Sequence, residues 1–258
     1  MLIDTHCHIH ESDYPFDVNE VIDRAYQAGV MQMICIGTCD DSVRRAIDLA
    51  SIHDSLFATI GLHPHYAKNG LDSIIRSKKD FVNNKKIVAI GEIGLDYYYD
   101  YSPRDTQIKI FQEQIEMALK LDLPIIFHVR DAYDDFWSII DNFRFASKRL
   151  RGVLHCFTDA SSNIQKGIKR GLYVGVNGIS TFTKDESQKV MFATIPIDKL
   201  LLETDAPFLT PYPLCGKIKV NEPAFIKEIA EYNSAIRQIS FEELANTTTA
   251  NARALFNL

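Results

Sequence analysis

Short apolar runs of strand length recur along the chain, and they do not alternate with polar residues. Such runs are typical of strands that are buried on both faces, as in a parallel sheet. Segments with helical periodicity lie between them. The pattern predicts eight strands, at Leu2–Thr5, Met31–Ile36, Leu56–Ile60, Ile87–Ile90, Pro124–Phe127, Val153–Leu154, Tyr173–Val176 and Leu200–Leu202.

Two of the intervening segments carry helix start signals. Ser102 followed by Pro103 predicts a serine cap with proline in the first turn. Ser240 and Glu243 have the spacing of a capping box and predict the start of the last helix. The segment Thr210–Val220 lacks both periodicities, so we expect a long loop after the eighth strand.

Strands that alternate with helices over 258 residues predict an α/β fold. The length suits a (β/α)8 TIM barrel, for which about 250 residues is typical. A doubly wound open sheet produces the same alternation and is the alternative. Because no Gly-rich linker or low-complexity segment divides the chain, we expect residues 1–258 to form a single domain.

Composition narrows the class of protein. The five cysteines are odd in number and none has the C-x-x-C spacing, which indicates free thiols in an intracellular protein. No signal-peptide pattern and no apolar run of ~20 residues occurs, so a cytoplasmic protein without a membrane span is expected. The net charge of −6 counts against a broad duplex-DNA footprint but allows an enzyme that grips a chain end.

Residues able to bind a metal follow nearly every predicted strand. His6 and His8 are two residues apart on an extended segment, so both imidazoles point the same way and can chelate one ion. In a barrel the carboxyl ends of all strands meet on one face. The other candidate ligands follow strands four, five, six and eight and are Glu92, His128, His155 and Asp205.

The clustering of these residues, more than any one of them, indicates a metal centre, because a single histidine is more often structural than a ligand. Glu92 lies between two glycines, and its carboxylate can bridge two ions. Asp205 can bind metal and also accept the proton of an attacking water. His10 and His53 fall outside the pattern and are interpreted as structural or solvated.

The ordered motifs of the chain resemble those of the TatD-family deoxyribonucleases, which are amidohydrolase-like metal-dependent hydrolases with a TIM-barrel fold. The similarity runs from the first strand to the final helix. The motifs that carry it are Ile3-Asp4-Thr5-His6-Cys7-His8, Gly61-Leu62-His63-Pro64-His65, Gly91-Glu92-Ile93-Gly94-Leu95-Asp96-Tyr97, Phe127-His128-Val129-Arg130, His155-Cys156-Phe157 and Glu203-Thr204-Asp205-Ala206-Pro207.

The resemblance implies a centre of two divalent ions, which are zinc, manganese or magnesium by the chemistry of the ligands. One ion would be bound by His6, His8 and Asp205, the other by His128 and His155, with Glu92 as the bridge. Glu92 and Asp205 would then be the catalytic residues. The substrate pocket would be lined by His63, Tyr97 and Arg130.

The resemblance also implies a deoxyribonuclease that acts from the 3′ end of single-stranded DNA by two-metal catalysis. One motif departs from the family, because the stretch before Asn221-Glu222-Pro223 has Cys215 near the place of the usual arginine. This departure and the acidic net charge keep a second hypothesis open, a hydrolase of a small ester, lactone or amide. A binding protein that has lost catalysis is a third, and the oligomeric state is open.

Overall fold

The structure, a computed structural model, describes residues 1–72, 74, 84–143 and 149–258. In this part of the chain eight strands follow one another in a single sheet in the order β1 to β8. That order is the order of a (β/α)8 barrel and not of a doubly wound sheet, so the predicted fold class is confirmed. The strands are β1 Leu2–Cys7, β2 Val30–Cys35, β3 Leu56–Ile60, β4 Ile87–Asp96, β5 Ile125–Arg130, β6 Gly152–Leu154, β7 Tyr173–Val176 and β8 Leu200–Leu202.

The helices of the described residues alternate with these strands. The α-helices are α1 Val18–Gln27, α2 Asp40–Ile52, α3 Arg104–Leu121, α4 Tyr133–Asn142, α5 Ser161–Lys169, α6 Ile179–Phe182, α7 Glu186–Thr194, α8 Ile226–Arg237 and α9 Phe241–Phe256. Short 3-10 helices lie at Pro64–Asn69, Ile197–Lys199 and Pro223–Phe225. Within the ranges described, none of the helices is both long enough and apolar enough to cross a membrane.

One predicted helix cap is confirmed and the other is wrong. The Ser240 hydroxyl accepts a hydrogen bond from the Glu243 backbone N–H at 3.0 Å, which caps α9 as predicted. Ser102 does not cap α3, whose capping residue is Pro103. The Ser102 hydroxyl instead donates to the His65 carbonyl at 2.9 Å, because this long-range partner lies within its reach.

The chain divides into two compact units, Met1–Cys35 with Cys156–Leu258, and Ile36–His155. In the first unit β1 pairs in parallel with β2, and β7 pairs in parallel with β8. A bridge between Cys7 and Ala206 also joins the end of β1 to the residues that follow β8. In the second unit β3, β4, β5 and β6 pair in parallel in that order.

Strands β4 and β5 extend beyond their predicted ends. Ile93 through Asp96 pair with Phe127 through Arg130 of β5, which carries β4 past Gly91 and Glu92. Gly94 permits this close pairing, since a Cβ atom at its φ of 150° would meet the His128 carbonyl oxygen. Glu92 and His128 therefore lie within β4 and β5, whereas the apolar pattern predicted that they follow these strands.

The aromatic core of the second unit holds β5 in place. Phe127 of β5 packs edge-on against Phe111 of α3 and Phe136 of α4, with ring centroids 6.1 and 5.2 Å apart. All three rings are fully buried. Because aromatic rings bury a large apolar surface, this cluster anchors the strand whose end carries His128.

The segment that follows β8 has neither helix nor strand over Thr210–Val220, as predicted. Asn221 closes it, because its side-chain amide donates to the carbonyls of Thr204 and Phe208 at 2.9 and 2.6 Å. Asn221 is fully buried. These bonds hold the segment against the end of β8.

Candidate metal centre

In the first unit, side chains from the ends of β1 and β8 converge. The Nε2 atoms of His6 and His8 lie 3.2 Å apart. They are 3.6 and 3.4 Å from Oδ1 of Asp205. His6 is fully buried, whereas the Asp205 side chain is 15% exposed, so the cluster is open to solvent on the Asp205 side. We call these three residues the first cluster.

The alternation of β1 places the two imidazoles on one side, as the sequence predicts. Thr5, which precedes them, donates from its hydroxyl to the Leu202 carbonyl at 2.9 Å. Cys7, which lies between them, directs its thiol to the Ile34 carbonyl at 3.5 Å. The backbone N–H of Asp205 donates to the His6 carbonyl at 2.8 Å. The carboxylate is thereby fixed opposite the histidine pair.

Asp4 supports the first cluster from beneath, a role that sequence reasoning missed. Its carboxyl accepts from the Thr204 hydroxyl at 2.5 Å, from the Thr204 N–H at 2.9 Å and from the His6 N–H at 3.2 Å. Burial raises the pKa of Asp4 to about 8, against the opposing effect of the Thr204 hydrogen bonds. Asp4 ties β1 to the end of β8, where Asp205 begins.

In the second unit, Glu92 of β4 lies among three imidazoles. Its Oε1 atom is 2.7 Å from Nδ1 of His128, 3.6 Å from Nε2 of His155 and 3.8 Å from Nε2 of His63. Burial alone would raise the pKa of Glu92, but the three imidazoles around it hold that pKa well below its usual range. Glu92 is therefore a buried carboxylate that carries its charge. We call these four residues the second cluster.

Asp96 lies behind His128 and was missed as a functional residue. Its Oδ2 atom is 2.9 Å from Nε2 of His128 and 3.0 Å from Nε2 of His65. Burial opposes the charge of Asp96, but hydrogen bonds from His128 and His65 hold its pKa well below the usual range. The signal was present, because residues four apart on a strand share a face, which places Asp96 with Glu92.

His128 donates through both ring nitrogens, to Glu92 and to Asp96. Burial would lower its pKa, but the hydrogen bonds to these two carboxylates raise it to about 9. The imidazole is therefore protonated on both ring nitrogens, and positively charged, at neutral pH. A metal ion bound by His128 has to displace one of these protons.

His63 begins the 3-10 helix Pro64–Asn69, and its Nδ1 atom accepts from the His65 N–H at 3.2 Å. Burial and the neighbouring His128 hold the pKa of His63 well below its usual value, so the ring is neutral. Since Nδ1 is an acceptor, the ring proton lies on Nε2, which faces Glu92. At 3.8 Å from Glu92 this nitrogen makes no hydrogen bond to the carboxylate, so His63 fits a hydrogen-bond donor toward a substrate.

The two remaining predicted substrate residues lie in different surroundings. The Tyr97 hydroxyl donates to Asp135 at 2.7 Å, and Arg104 lies 4.3 Å from the centre of the Tyr97 ring. Arg130 is exposed, with its guanidinium carbon 3.9 Å from the centre of the Tyr98 ring. Of the two, Arg130 is the residue whose donors face solvent-borne ligands.

The structural interpretation of the histidines outside the strand-end pattern stays a prediction, because the ligand atoms of His10 lie within 4.8 Å of those of His8 and Glu11. His10 is buried with Nε2 at 3.3 Å from Glu11. Burial would lower its pKa, but Cys35 and Glu11 raise it to about 9. His53 is the capping residue at the end of α2.

The donor atoms of both clusters fit divalent ions. Among the described residues, His6, His8 and Asp205 bring their ligand atoms within 4.8 Å of one another, and so do His63, Glu92 and His128. Two imidazole nitrogens with a carboxylate oxygen form a ligand set of catalytic zinc sites, in which a further position stays open. The same set tolerates other divalent ions, so the donors alone do not select the metal.

Comparison with known proteins agrees over the whole chain. A family model described as TatD related DNase matches residues 3–257. An uncharacterized metal-dependent hydrolase, YabD of Bacillus subtilis, is 38% identical over 258 residues and is covered completely, as is this chain. The 3′-5′ ssDNA/RNA exonuclease TatD of Salmonella typhimurium is 34% identical over 264 residues, which cover 100% of this chain and 99% of that protein.

Solved structures give the same result. The TatD homologue YJJV from Escherichia coli superimposes with a TM-score of 0.91 at 29% identity, covering 100% of this chain and 98% of that one. A TatD family hydrolase from Entamoeba histolytica gives 0.88 at 25% identity, covering 99% and 97%. The phosphotriesterase homology protein of Escherichia coli, at 15% identity and a TM-score of 0.67 with 99% and 98% covered, shares the fold alone.

Proposed function

Because this chain belongs to the TatD related DNase family and is a metal-dependent hydrolase of ester bonds, we propose that it cleaves phosphodiester bonds of single-stranded DNA from a 3′ end. The observation that carries this proposal is an imidazole–carboxylate cluster in each unit, from the ends of β1 and β8 in the first and from β4 and β5 in the second. In a (β/α)8 barrel the carboxyl ends of the strands form the catalytic face. Residues 1–258 acting as one domain stays a prediction.

We assign the ions by the donors of each cluster. His6, His8 and Asp205 would hold one ion, and His128 and His155 would hold the other. Glu92 would be the bridging ligand, because its carboxylate is charged and its Oε1 atom faces the imidazoles of the second cluster. This leaves the Nε2 proton of His63 for a substrate oxygen, because 3.8 Å from Glu92 is too long for a hydrogen bond.

Divalent ions in such a centre supply Lewis acidity toward phosphoryl oxygens and make water more acidic. Asp205 acts as the general base, since its carboxylate is partly exposed and is fixed by its backbone to β1. Arg130 holds a non-bridging phosphate oxygen, because a guanidinium donates two parallel hydrogen bonds. Asp96 orients His128 through the nitrogen that faces away from Glu92.

A tyrosine platform beside the second cluster supports a nucleic-acid substrate. We define it as Tyr98, Tyr99 and Tyr101, which are 58%, 38% and 54% exposed. Tyr99 and Tyr101 stack at 5.3 Å with 19° between their planes, and His65 packs edge-on against Tyr99 at 5.3 Å. Exposed tyrosines of this kind stack on bases of single strands, at about 1–3 kcal/mol per base. Relatives that are 33% and 34% identical carry the name 3′-5′ ssDNA/RNA exonuclease.

The test is hydrolysis of single-stranded DNA labelled at either the 3′ or the 5′ end, with magnesium, manganese or zinc. We expect nucleotides to be released from the 3′ end and Glu92→Gln to lose about 10³-fold or more in kcat, because bridging charge disappears. Glu116→Gln, on the exposed surface of α3, is the matched control and retains activity. Undiminished cleavage by Glu92→Gln would overturn the mechanism, and release from the 5′ end would overturn the polarity.

The second candidate substrate is a small ester, lactone or amide. The observation that favours it is Cys215 in the loop after β8, where the resemblance leads one to expect an arginine for phosphate contact. The same preparation, assayed on aryl esters and lactones, distinguishes the two. Turnover of these compounds with none on DNA would favour this candidate, and elemental analysis without bound metal would favour a binding protein.

A further inference from the structure

A surface cavity of about 780 Å³, wide open to solvent, lies in the first unit beside the loop that follows β8. Its walls are largely apolar and come from α6 and from both arms of the loop. The side chains that shape it include Phe182, Phe208, Leu209, Cys215, Ile218 and Lys219. A volume of this size is within the range of small-molecule sites, which are mostly apolar with a few polar groups.

The cavity is held open by the backbone of the loop. The Thr181 hydroxyl accepts from the Tyr212 N–H at 2.8 Å, and the buried Asn221 side chain holds the Phe208 carbonyl at 2.6 Å. The Leu209 carbonyl oxygen packs so closely on Gly178 that a Cβ atom there would meet it. The walls are therefore preformed and need not be ordered by a ligand.

The cavity adjoins the first cluster through Phe208. The Phe208 ring packs edge-on against His8, with centroids 6.5 Å apart, and its N–H donates to the Asp205 carbonyl at 2.8 Å. Phe208 is nevertheless 61% exposed. Phe182 and Ile218 of the same cavity are 38% and 37% exposed, and a contiguous exposed apolar patch of this kind marks a binding surface. A substrate group beside His8 would therefore lie next to the Phe208 ring.

The chemistry of the walls selects a flat, apolar ring over a second phosphate. Phe182 and Phe208 offer ring surfaces, and Ile218 and Leu209 offer aliphatic surface. Cys215 adds a small uncharged group where an arginine would bring charge. Lys219 is exposed and supplies a cation for a phosphate oxygen next to the ring.

We propose that this cavity binds the nucleobase next to the scissile phosphodiester, with Phe208 and Ile218 as specificity-determining residues. The inference rests on the proposed phosphodiesterase function and deepens it. In the second unit the tyrosine platform would stack on bases of the single-stranded DNA. In the first unit the cavity takes one base beside the first cluster.

The experiment compares a short single-stranded oligonucleotide with the same oligonucleotide in which the terminal nucleotide is abasic. We expect the abasic substrate to have a KM roughly tenfold higher, in line with loss of one stacked base. Ile218→Asp places a carboxylate in the cavity and should bring the KM ratio of the two substrates close to one. Val190→Asp, on an equally apolar but 62% exposed position of α7, is the matched control and should keep the ratio.

A second variant and a binding measurement separate this inference from the proposed function. Phe208→Tyr should keep the ratio, because the ring surface remains, and Phe208→Leu should reduce it. Calorimetry with thymidine 5′-monophosphate and deoxyribose 5-phosphate measures the base contribution without catalysis. Tighter binding of the nucleotide than of the sugar phosphate, with loss of this preference in Ile218→Asp, supports the cavity even if DNA is not cleaved. Absence of DNA cleavage would reject only the proposed function. DNA cleavage with equal KM values for both substrates, or equal loss in Val190→Asp, overturns the cavity.

Discussion

Both clusters combine imidazoles with a carboxylate, but they differ in whether the imidazoles make hydrogen bonds to that carboxylate. In the first cluster, Asp205 stands 3.4 and 3.6 Å from the two imidazoles, beyond ordinary hydrogen-bond length. In the second, His128 binds Glu92 and Asp96 at 2.7 and 2.9 Å. The first cluster is therefore open, since its carboxylate makes no hydrogen bond to the two imidazoles. The second is a closed network, in which protonated His128 is hydrogen-bonded to two carboxylates.

This difference shows what a metal ion has to replace in each unit. An ion bound at the first cluster would enter between a carboxylate and two imidazoles that are too far from it for hydrogen bonds. An ion bound at the second cluster would displace the His128 proton, which two carboxylates stabilise. Binding at the second cluster is therefore the more strongly coupled to pH.

The largest expected effect comes from removing the carboxylate of the open cluster. Asp205→Asn should lower kcat by roughly 10²–10⁴-fold, because the amide neither balances the ion's charge nor accepts a proton. Elemental analysis should show one ion lost and the ion of the second cluster retained. Asp23→Asn, exposed on α1, is the control. Loss of both ions together would show that the clusters do not bind independently.

An intermediate effect concerns the closed network and pH. Because the pKa of His128 is raised to about 9, the metal affinity of the second cluster should increase about tenfold per unit as pH rises, and level off above pH 9. Asp96→Asn lowers that pKa by removing a carboxylate partner, so the levelling should move to lower pH. The same variant should weaken metal binding by roughly 10- to 100-fold at high pH.

Metal titrations of Asp96→Asn and wild-type protein at several pH values measure both effects. An exposed aspartate on the same strand-following segment, Asp100→Asn, serves as the control for a change of net charge. Identical pH dependence in wild type and Asp96→Asn would contradict the role of Asp96.

The smallest expected effect concerns the tyrosine platform of the second unit. Tyr99→Leu should raise KM for single-stranded DNA roughly fivefold and leave kcat within twofold, because a stacking surface is lost while both clusters stay intact. Tyr26→Leu, on an exposed tyrosine of α1, should change neither. A fall in kcat without a change in KM would place Tyr99 in catalysis and not in binding.

The apolar pattern predicted strand bounds correctly where the end of an apolar run coincides with the end of pairing to the neighbouring strand. The bounds of β3, β7 and β8 agree with the prediction to the residue. It ended β4 six residues early, because Gly91 and Glu92 look like a turn in sequence. Pairing of Ile93 through Asp96 with β5 extends the strand, and that partner is not visible in local periodicity.

The candidate site followed the same division. The alternation of β1 predicted that His6 and His8 share one side, and their Nε2 atoms lie 3.2 Å apart. The role of Asp96 was missed, since its partners His65 and His128 are 31 and 32 residues away along the chain. The assignment of each residue to an ion stays a prediction.

The amino-acid sequence alone predicts the alternation of strands and helices and the side-chain types, imidazole and carboxylate, near the carboxyl ends of the strands. Both follow from local rules, the burial of apolar runs and the two-residue period of a strand. Which carboxylate contacts which imidazole depends on the tertiary structure. Hydrogen bonds of 2.7 to 3.0 Å form between residues far apart in sequence, and their strength against burial sets the charge of Glu92, Asp96 and His128.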